Sequence, residues 1–577
     1  DGEMVLYRYR APSGAEVLVY REPYWYNSGV CPDNGTGVFE VEKRSGGMKT
    51  SMIVYGVGNH GGGVTRRDVE TMLEMRQWPV FPMLRFGTMH EYFMKAEAYR
   101  DRLPVVDHEL NTIFTGCYST QSRIKRANRM TEAALLDAER ASALVSQRLG
   151  APFAAEVFEK AWQKTLFTHF HDILTGSCVQ ESREYAMARL SEALAFAQTQ
   201  QNRAYERWSY AVNTSMFVCD ECISRSRAEG AGAGYGLPYY AGVPNPERGA
   251  GLMRIFTVFN PSPIARREIV ELTIWDYAGD IHQLEVIDHE HRLVQFELLD
   301  EEPKVYWAHY TIRILFEADV SAFGHAVYAV RPKGLTNYPT HFFTFRPDRI
   351  EDPKGDIVLE NEFLRTSFGT GSGLLYSLFD KTDGKELLSA PAGLYLIHTE
   401  DSDMSAWRVG RYLGMQPVTK TIFVQVKRGA LRDSVSYQLS VMHSKVNFTV
   451  SLDKGAKTLH YSLKIDWNET CKGQDFLPVL SYRLPLSSSA QSILCDVPAG
   501  VVRRPACQMD VPALTGACAD VNGTTVALIS DCKYGFRLAD GVYCGCSYRT
   551  SCRDICRYKH CYKADDYCGG NGCRRYR

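Results

Sequence analysis

The chain contains no run of about 18 apolar residues, the length a membrane-spanning helix requires, so no membrane partner is expected. It has no excess of either charge, with 66 Lys and Arg against 67 Asp and Glu and a net charge of −1. That balance gives no electrostatic reason to bind nucleic acid or an anionic membrane. It opens Asp1-Gly2-Glu3-Met4 without the basic and apolar stretches of a secretory signal, and a cytoplasmic location is the expectation. Its 17 cysteines match no zinc template, and Cys219-Asp220-Glu221-Cys222 is a lone C-x-x-C that reads as structural. Seven of them (Cys544, Cys546, Cys552, Cys556, Cys561, Cys568 and Cys573) crowd the last 34 residues. A disulfide knot or a metal-binding tail would account for that crowding. The abrupt change of texture near residue 545 points rather to a changed reading frame over 546–577.

What is present suits a large multidomain protein. Length alone, 577 residues, suggests about three or four domains. With 45% hydrophobic residues it can bury several cores, and its 33 Tyr suit sugar stacking as well as packing. Residues 1–105 mix strand-like stretches (5–9, 17–20, 53–55, 80–86) with helix-like ones (68–75, 90–100), the texture of β/α units. Residues 106–212 are helical, and the segments 132–149, 154–168 and 179–210 carry apolar residues at bundle spacing. Residues 213–253 hold a Gly- and Pro-rich stretch that reads as a linker. Over 254–545 short alternating strands are separated by Gly, Asp and Asn turns, clearest at 439–452 and 458–465, as in β-sandwiches. The fold class is therefore multidomain: α/β, then all-α, then all-β.

Three segments carry chemistry. The first is Gly56-Val57-Gly58-Asn59-His60-Gly61-Gly62-Gly63-Val64-Thr65, between an apolar run and a helix-like stretch. Its glycines allow close backbone approach to a ligand. It also spells G-x-G-x-x-G, but the next apolar run ends in Gly87-Thr88 with no acidic residue to hold a ribose. Asn59 and His60 at the apex suit the rim of an active site better. The second is Phe114-Thr115-Gly116-Cys117-Tyr118-Ser119-Thr120-Gln121-Ser122-Arg123-Ile124-Lys125, followed by Asn128-Arg129. The third, Phe170-His171-Asp172-Ile173-Leu174-Thr175-Gly176-Ser177, lies where one amphipathic segment ends and another begins. There a metal-ligating side-chain type stands beside a carboxylate. Packing or helix capping is the plain alternative for His171. Ser177 with Gln180 three residues on has the spelling of a capping box.

In this order and spacing the three segments resemble glycoside hydrolase family 38, the α-mannosidases, and most of all its bacterial and cytosolic branch. Val258-Phe259-Asn260-Pro261, Leu359-Glu360-Asn361-Glu362-Phe363, Leu378-Phe379-Asp380-Lys381, Ile465-Asp466-Trp467-Asn468-Glu469 and Lys533-Tyr534-Gly535 are similar to that family's β-rich region. The likeness covers roughly residues 1–540. It implies a retaining glycosidase, which needs a carboxylate nucleophile and a proton donor on opposite sides of the scissile bond. Its substrate would be a mannose-containing oligosaccharide, and the oligomeric state is open, a homo-oligomer included.

The resemblance further implies one Zn2+ held by two His and two Asp, gripping sugar hydroxyls as an oxocarbenium ion develops. Only His171 carries over as a zinc ligand. Asp172 would bind mannose hydroxyls, with Tyr118 beside it as a second substrate contact. The family's early His-x-Asp pair and its nucleophilic Asp have no match here, which makes the chain read as a fragment entering the catalytic domain near its end. Asn59 and His60 stand where relatives often carry an aspartate in an acid role. The acid is therefore unassigned, with His60 as a stand-in. A non-catalytic carbohydrate-binding β-sandwich is the competing expectation.

Overall fold

The computed structural model describes residues 4–23, 41–56, 63–110, 113–217, 252–277, 279–300, 303–306, 309–333, 350–351, 353–401, 404–469, 476–488 and 490–549. The chain divides into two compact units, Asp1–Asn111 and Thr112–Arg577. Among the described residues no helix is long and apolar enough to cross a membrane.

In the first unit β1 (Leu6–Arg10) pairs antiparallel with β2 (Glu16–Tyr20) and parallel with β3 (Val105–Val106). Strand β3 lies near the end of this unit. Leu6, Met48, Tyr92, Ala96 and Leu103 form its core. Helix α1 (Arg66–Met75) starts at Thr65, whose hydroxyl accepts from the Asp68 amide. Helix α2 (Met89–Ala96) starts at a full capping box between Thr88 and Glu91. A 3-10 turn over Glu97–Arg102 ends the helical run. The strand expected at 80–86 does not form: Val80 is 96% and Met83 89% exposed, so alternation there buries nothing. Nor is 53–55 a strand, beyond an isolated bridge at Tyr55.

The second unit begins with three helices: α3 (Ser122–Leu149), α4 (Ala155–Phe167) and α5 (Gln180–Tyr210). Helix α3 starts ten residues before the expected 132. The intervening Ile124, Lys125, Asn128 and Thr131 are buried at helical spacing, but three of the four are polar and so escape an apolar-period reading. Leu135, Ala138, Phe158, Ala161, Ala193 and Ala197 make the bundle core, and its many alanines let the helices approach closely.

Beyond Arg254 every strand pair is antiparallel among the described residues. Two four-stranded sheets, one built on Arg266–Trp275 with His309–Val320 and the other on Arg254–Asn260 with Gly324–Pro332, share one core. Four further sheets of five, four, six and four strands close over a second, larger core that includes Phe368, Tyr437, Val450 and Phe536. Glu297 links the two regions by accepting from the Leu431 and Arg432 amides at 2.8 and 3.0 Å. The stretch 439–452 is two strands of a hairpin, broken where Met442 takes φ 48°. Strand Val542–Arg549 runs past residue 545, its backbone pairing up to Arg549, while the Cys-rich residues 550–577 lie outside the described residues. So does most of the expected linker, residues 218–251.

Asparagines fix the turns that start these sheets. Asn361 donates to the Asp453 and Ala456 carbonyls at 2.8 and 2.7 Å and accepts from the Phe363 and Leu364 amides at 2.9 and 2.8 Å. At about 1 kcal/mol net for each bond, Asn361→Ala is expected to lower stability by about 2–4 kcal/mol. Urea unfolding followed by Trp fluorescence checks this, and a loss under about 0.5 kcal/mol would refute the clamp.

Candidate functional site

The second and third chemical segments meet in space. Residues Thr115–Tyr118 form a 3-10 turn, and Gln121 then takes φ 53°, the left-handed conformation that redirects the chain into α3. Lys125, one turn into α3, is 2% exposed. Its ammonium donates to the Leu174 carbonyl at 3.0 Å, to Thr175 at 3.1 Å, and to Thr120. An ammonium has three protons to donate, and three carbonyls receive them. Gly176 has φ +80°, and a Cβ there would lie 2.6 Å from both the Thr120 oxygen and the Gln121 Cβ. Ile124 and Ile173 pack together with Ala186 beneath this contact.

Residues 168–176 are successive turns and bends rather than helix, with Ile173 N bonded to Phe170 O and Gly176 N to Ile173 O, both at 2.9 Å. His171 projects outward with its side chain 61% exposed, its ring tilted against Phe170 at 4.3 Å between centroids. Asp172 Oδ2 lies 3.5 Å from His171 Nε2. Asp172 Oδ1 accepts from the Ser177 hydroxyl at 3.1 Å, and the capping-box expectation fails because the helix begins two residues further on than a Ser177 cap requires. Helix α5 starts at Gln180 behind Val179, with no side-chain cap.

The other expected site residues fall differently. Tyr118 is buried, at 9% exposure. Asn59 and His60 lie outside the described residues. The ends of their loop are described and meet: Gly56 has φ +128°, and a Cβ there would lie 3.3 Å from the Gly63 carbonyl.

A polar network beside the turn escaped the sequence reading. His169 Nε2 lies 2.9 Å from Asn128 Oδ1, so it donates there, and 3.3 Å from Glu132 Oε1. Arg129 donates to Glu132 at 3.1 Å and to the Leu514 carbonyl at 2.6 Å, with its guanidinium over the Tyr534 ring. Asn128 donates to the Tyr534 hydroxyl at 3.3 Å. Burial pushes the Glu132 carboxyl up, but the His169 hydrogen bond and the Arg129 charge outweigh it and hold it below its ordinary value. Burial raises the Tyr534 phenol. The signal was available as polar residues at helical spacing in α3: Lys125, Asn128, Arg129 and Glu132.

An imidazole beside a carboxylate on an open turn fits a zinc ion in kind, since both are ordinary zinc donors. It does not fit in number. Among the described residues no group of three or more His, Cys, Asp or Glu stands where it could hold a metal ion.

Comparison with known proteins bears directly on this junction. Residues 112–207, which contain both segments, match the alpha mannosidase middle domain, and residues 359–543 match the glycosyl hydrolases family 38 C-terminal domain. The middle and C-terminal stretches of the chain are thus similar to family 38 domains. Human alpha-mannosidase 2C1 is 23% identical over 516 residues, 85% of this chain and 41% of that protein. Alpha-mannosidase G of Dictyostelium discoideum is 31% identical over 131 residues, 22% of this chain and 12% of that protein. The fold resembles the crystal structure of an alpha-mannosidase from Enterococcus faecalis V583, with a TM-score of 0.72 at 15% identity, covering 95% of this chain and 66% of that one. The chain thus spans well under half the length of its human relative and about two thirds of the bacterial structure. Both family 38 matches hold residues of the polar network: Asn128, Arg129, Glu132 and His169 in the first, Leu514 and Tyr534 in the second.

The network has a pH signature. A carboxyl held below its ordinary value of 4.5 stabilises the fold above that value and loses its contribution as pH falls through the lowered one. Glu132→Gln is therefore expected to lower the melting temperature at pH 7, with the gap to the unsubstituted protein closing as pH drops through and below 4.5. Melting curves at pH 7, 5, 4 and 3 measure it. A gap independent of pH would mean that the charge of Glu132 contributes nothing.

Proposed function

We propose that the protein is an α-mannosidase-type glycosidase that hydrolyses the O-glycosyl bond of mannose-containing oligosaccharides with retention. The observation that carries this reading is the clamped, outward-facing His171–Asp172 turn within a match to the alpha mannosidase middle domain. The matches to the two family 38 domains and the names of the relatives support it. On this reading the sheet of the first unit is the last part of a barrel-like catalytic domain, and the paired sheets beyond Arg254 are β-sandwiches. The parallel β1–β3 pair and the cores shared between sheets support that assignment. The cytoplasm is the proposed location, resting on the resemblance to the cytosolic branch.

The roles follow from the geometry. Asp172 is oriented by Ser177 through one oxygen and turns the other toward His171, which leaves it able to accept hydrogen bonds from vicinal sugar hydroxyls. His171, with an exposed imidazole, is the proposed zinc donor of this chain, and a zinc ion held there would polarise and position those hydroxyls. Tyr118, being buried, would act on substrate by shaping the floor of the site rather than by an open ring face. Asn59 and His60 remain proposed for the rim, with His60 as the stand-in for the unassigned acid. The nucleophile is not assigned to any residue of the chain.

The test uses the protein expressed from its complete gene. Proton NMR of an α-mannoside digest is expected to show the α-anomer of mannose first. An initial β-anomer, or no turnover of any α-mannoside, would sink the proposal, and binding of glycans without turnover would favour a non-catalytic carbohydrate-binding protein. Losing a metal donor should cost more than the ~10–100-fold of a supporting residue. His171→Ala is thus expected to drop bound zinc well below one per chain and nearly abolish activity. Asp172→Asn is expected to keep the metal and raise KM.

A further inference from the structure

We infer that Lys125 is a positioning residue for the His171–Asp172 turn, and that the chemistry of the site depends on this buried ammonium although it touches no substrate. The inference rests on the α-mannosidase reading for its activity arm only. Three observations carry it. First, Lys125 is 2% exposed, and its Nζ joins carbonyls from two separate segments: Thr120 on one side, Leu174 and Thr175 on the other. Second, Leu174 and Thr175 lie between His171–Asp172 and Ser177, so the ammonium grips the backbone midway between the carboxylate and the hydroxyl that orients it. Third, Gly176 brings the same backbone to 2.6 Å of Thr120 O, measured from the Cβ it lacks, so the contact has no room for a bulkier bridge or an intruding side chain.

The physics favours a fixed geometry. A buried cation deprived of its acceptors is costly, and buried carbonyls deprived of their donor are costly too. Any shift of the 174–175 backbone therefore breaks bonds on both partners at once. Asp172 and His171 are carried on that backbone, two or three residues away. Their separation of 3.5 Å thus inherits the rigidity of a core contact while their tips stay open to ligand.

The test compares Lys125→Met with Val145→Ala, a core substitution in the same helix (Val145 is 3% exposed) and remote in sequence from the turn. Both are assayed well below their melting temperatures, where each is fully folded. In the complete enzyme Lys125→Met is expected to lower kcat/KM for an aryl α-mannoside about 10–100-fold, the range of changes that misplace a metal-site residue. Val145→Ala is expected to stay within about 2-fold, and Lys125→Arg, which keeps a multi-donor cation, to recover most of the loss.

Hydrogen exchange in the 577-residue chain is the second readout. The Ile173, Leu174 and Gly176 amides, bonded within the turn, are expected to exchange at least 10-fold faster in Lys125→Met and unchanged in Val145→Ala. Equal behaviour of the two variants in both readouts would overturn the inference. If the unsubstituted enzyme hydrolyses no α-mannoside, the functional reading fails and the exchange arm alone decides on Lys125. Should Lys125→Met not fold, Lys125→Gln, too short to span three carbonyls, is read the same way.

Discussion

One buried ammonium ties the beginning of the bundle to the turn between its second and third helices. Lys125 reaches Thr120, Leu174 and Thr175 from the first turns of α3, and Gly176 allows the approach that makes these contacts possible. The rest of the junction can be understood from that fixed point. With the Leu174 and Thr175 carbonyls turned to Lys125, residues 168–176 are turns and bends rather than a continuation of α4 or an early start of α5. Asp172 and Ser177 are left to satisfy one another, and the side chain of His171 is left outside.

The same helix start is fastened on its other sides. Gly116 donates from its amide to the Trp407 carbonyl at 2.8 Å, the Thr120 hydroxyl to Ala406 at 3.1 Å, and the Val409 amide to the Thr115 hydroxyl at 3.2 Å. Further along α3, Arg129 holds Leu514 and Asn128 holds Tyr534. The start of α3 is thus joined to the β-rich region by polar bonds, while the end of α5 packs on it through rings, with Tyr205 and Trp208 against Phe259. Directional bonds of this kind fix register more strictly than apolar packing does, since a small slide leaves buried donors and acceptors unpaired. A site that must hold a ring in one orientation gains from such a base.

Much of this was legible in the sequence, though for a reason different from the chemistry it suggested. The motifs that revealed the family are largely clamps. Lys125 and Asn128 grip the junction; Asn260 donates to the Ile264 and Ser321 carbonyls at 2.8 and 3.0 Å; Lys381 ties Glu360 and the Asn361 carbonyl, both at 2.7 Å; Glu469 accepts from the His443 amide at 2.9 Å. Polar residues inside a fold are hard to replace because each has several partners in fixed directions. Apolar positions tolerate other residues of similar volume more readily. Resemblance detected through the polar clamps reports the shape of the scaffold first and the reaction second.

What the sequence concealed follows from the same physics. Periodicity finds apolar faces, so it found the three helices but missed the first ten residues of α3, where the buried face is Lys125, Asn128 and Thr131 alongside Ile124. It proposed a strand at 80–86, where the apolar residues meet solvent. It assigned Ser177 to a helix cap because spacing along the chain cannot show that the helix starts only at Gln180, with the Ser177 hydroxyl turned to Asp172 instead. Each miss is a polar residue whose partner, or an apolar residue whose burial, is decided by a different segment. Local pattern fixes which residues can bond. Only the closure of Thr120 onto Gly176 decides which of them do, and it leaves the His171 side chain exposed beside Asp172.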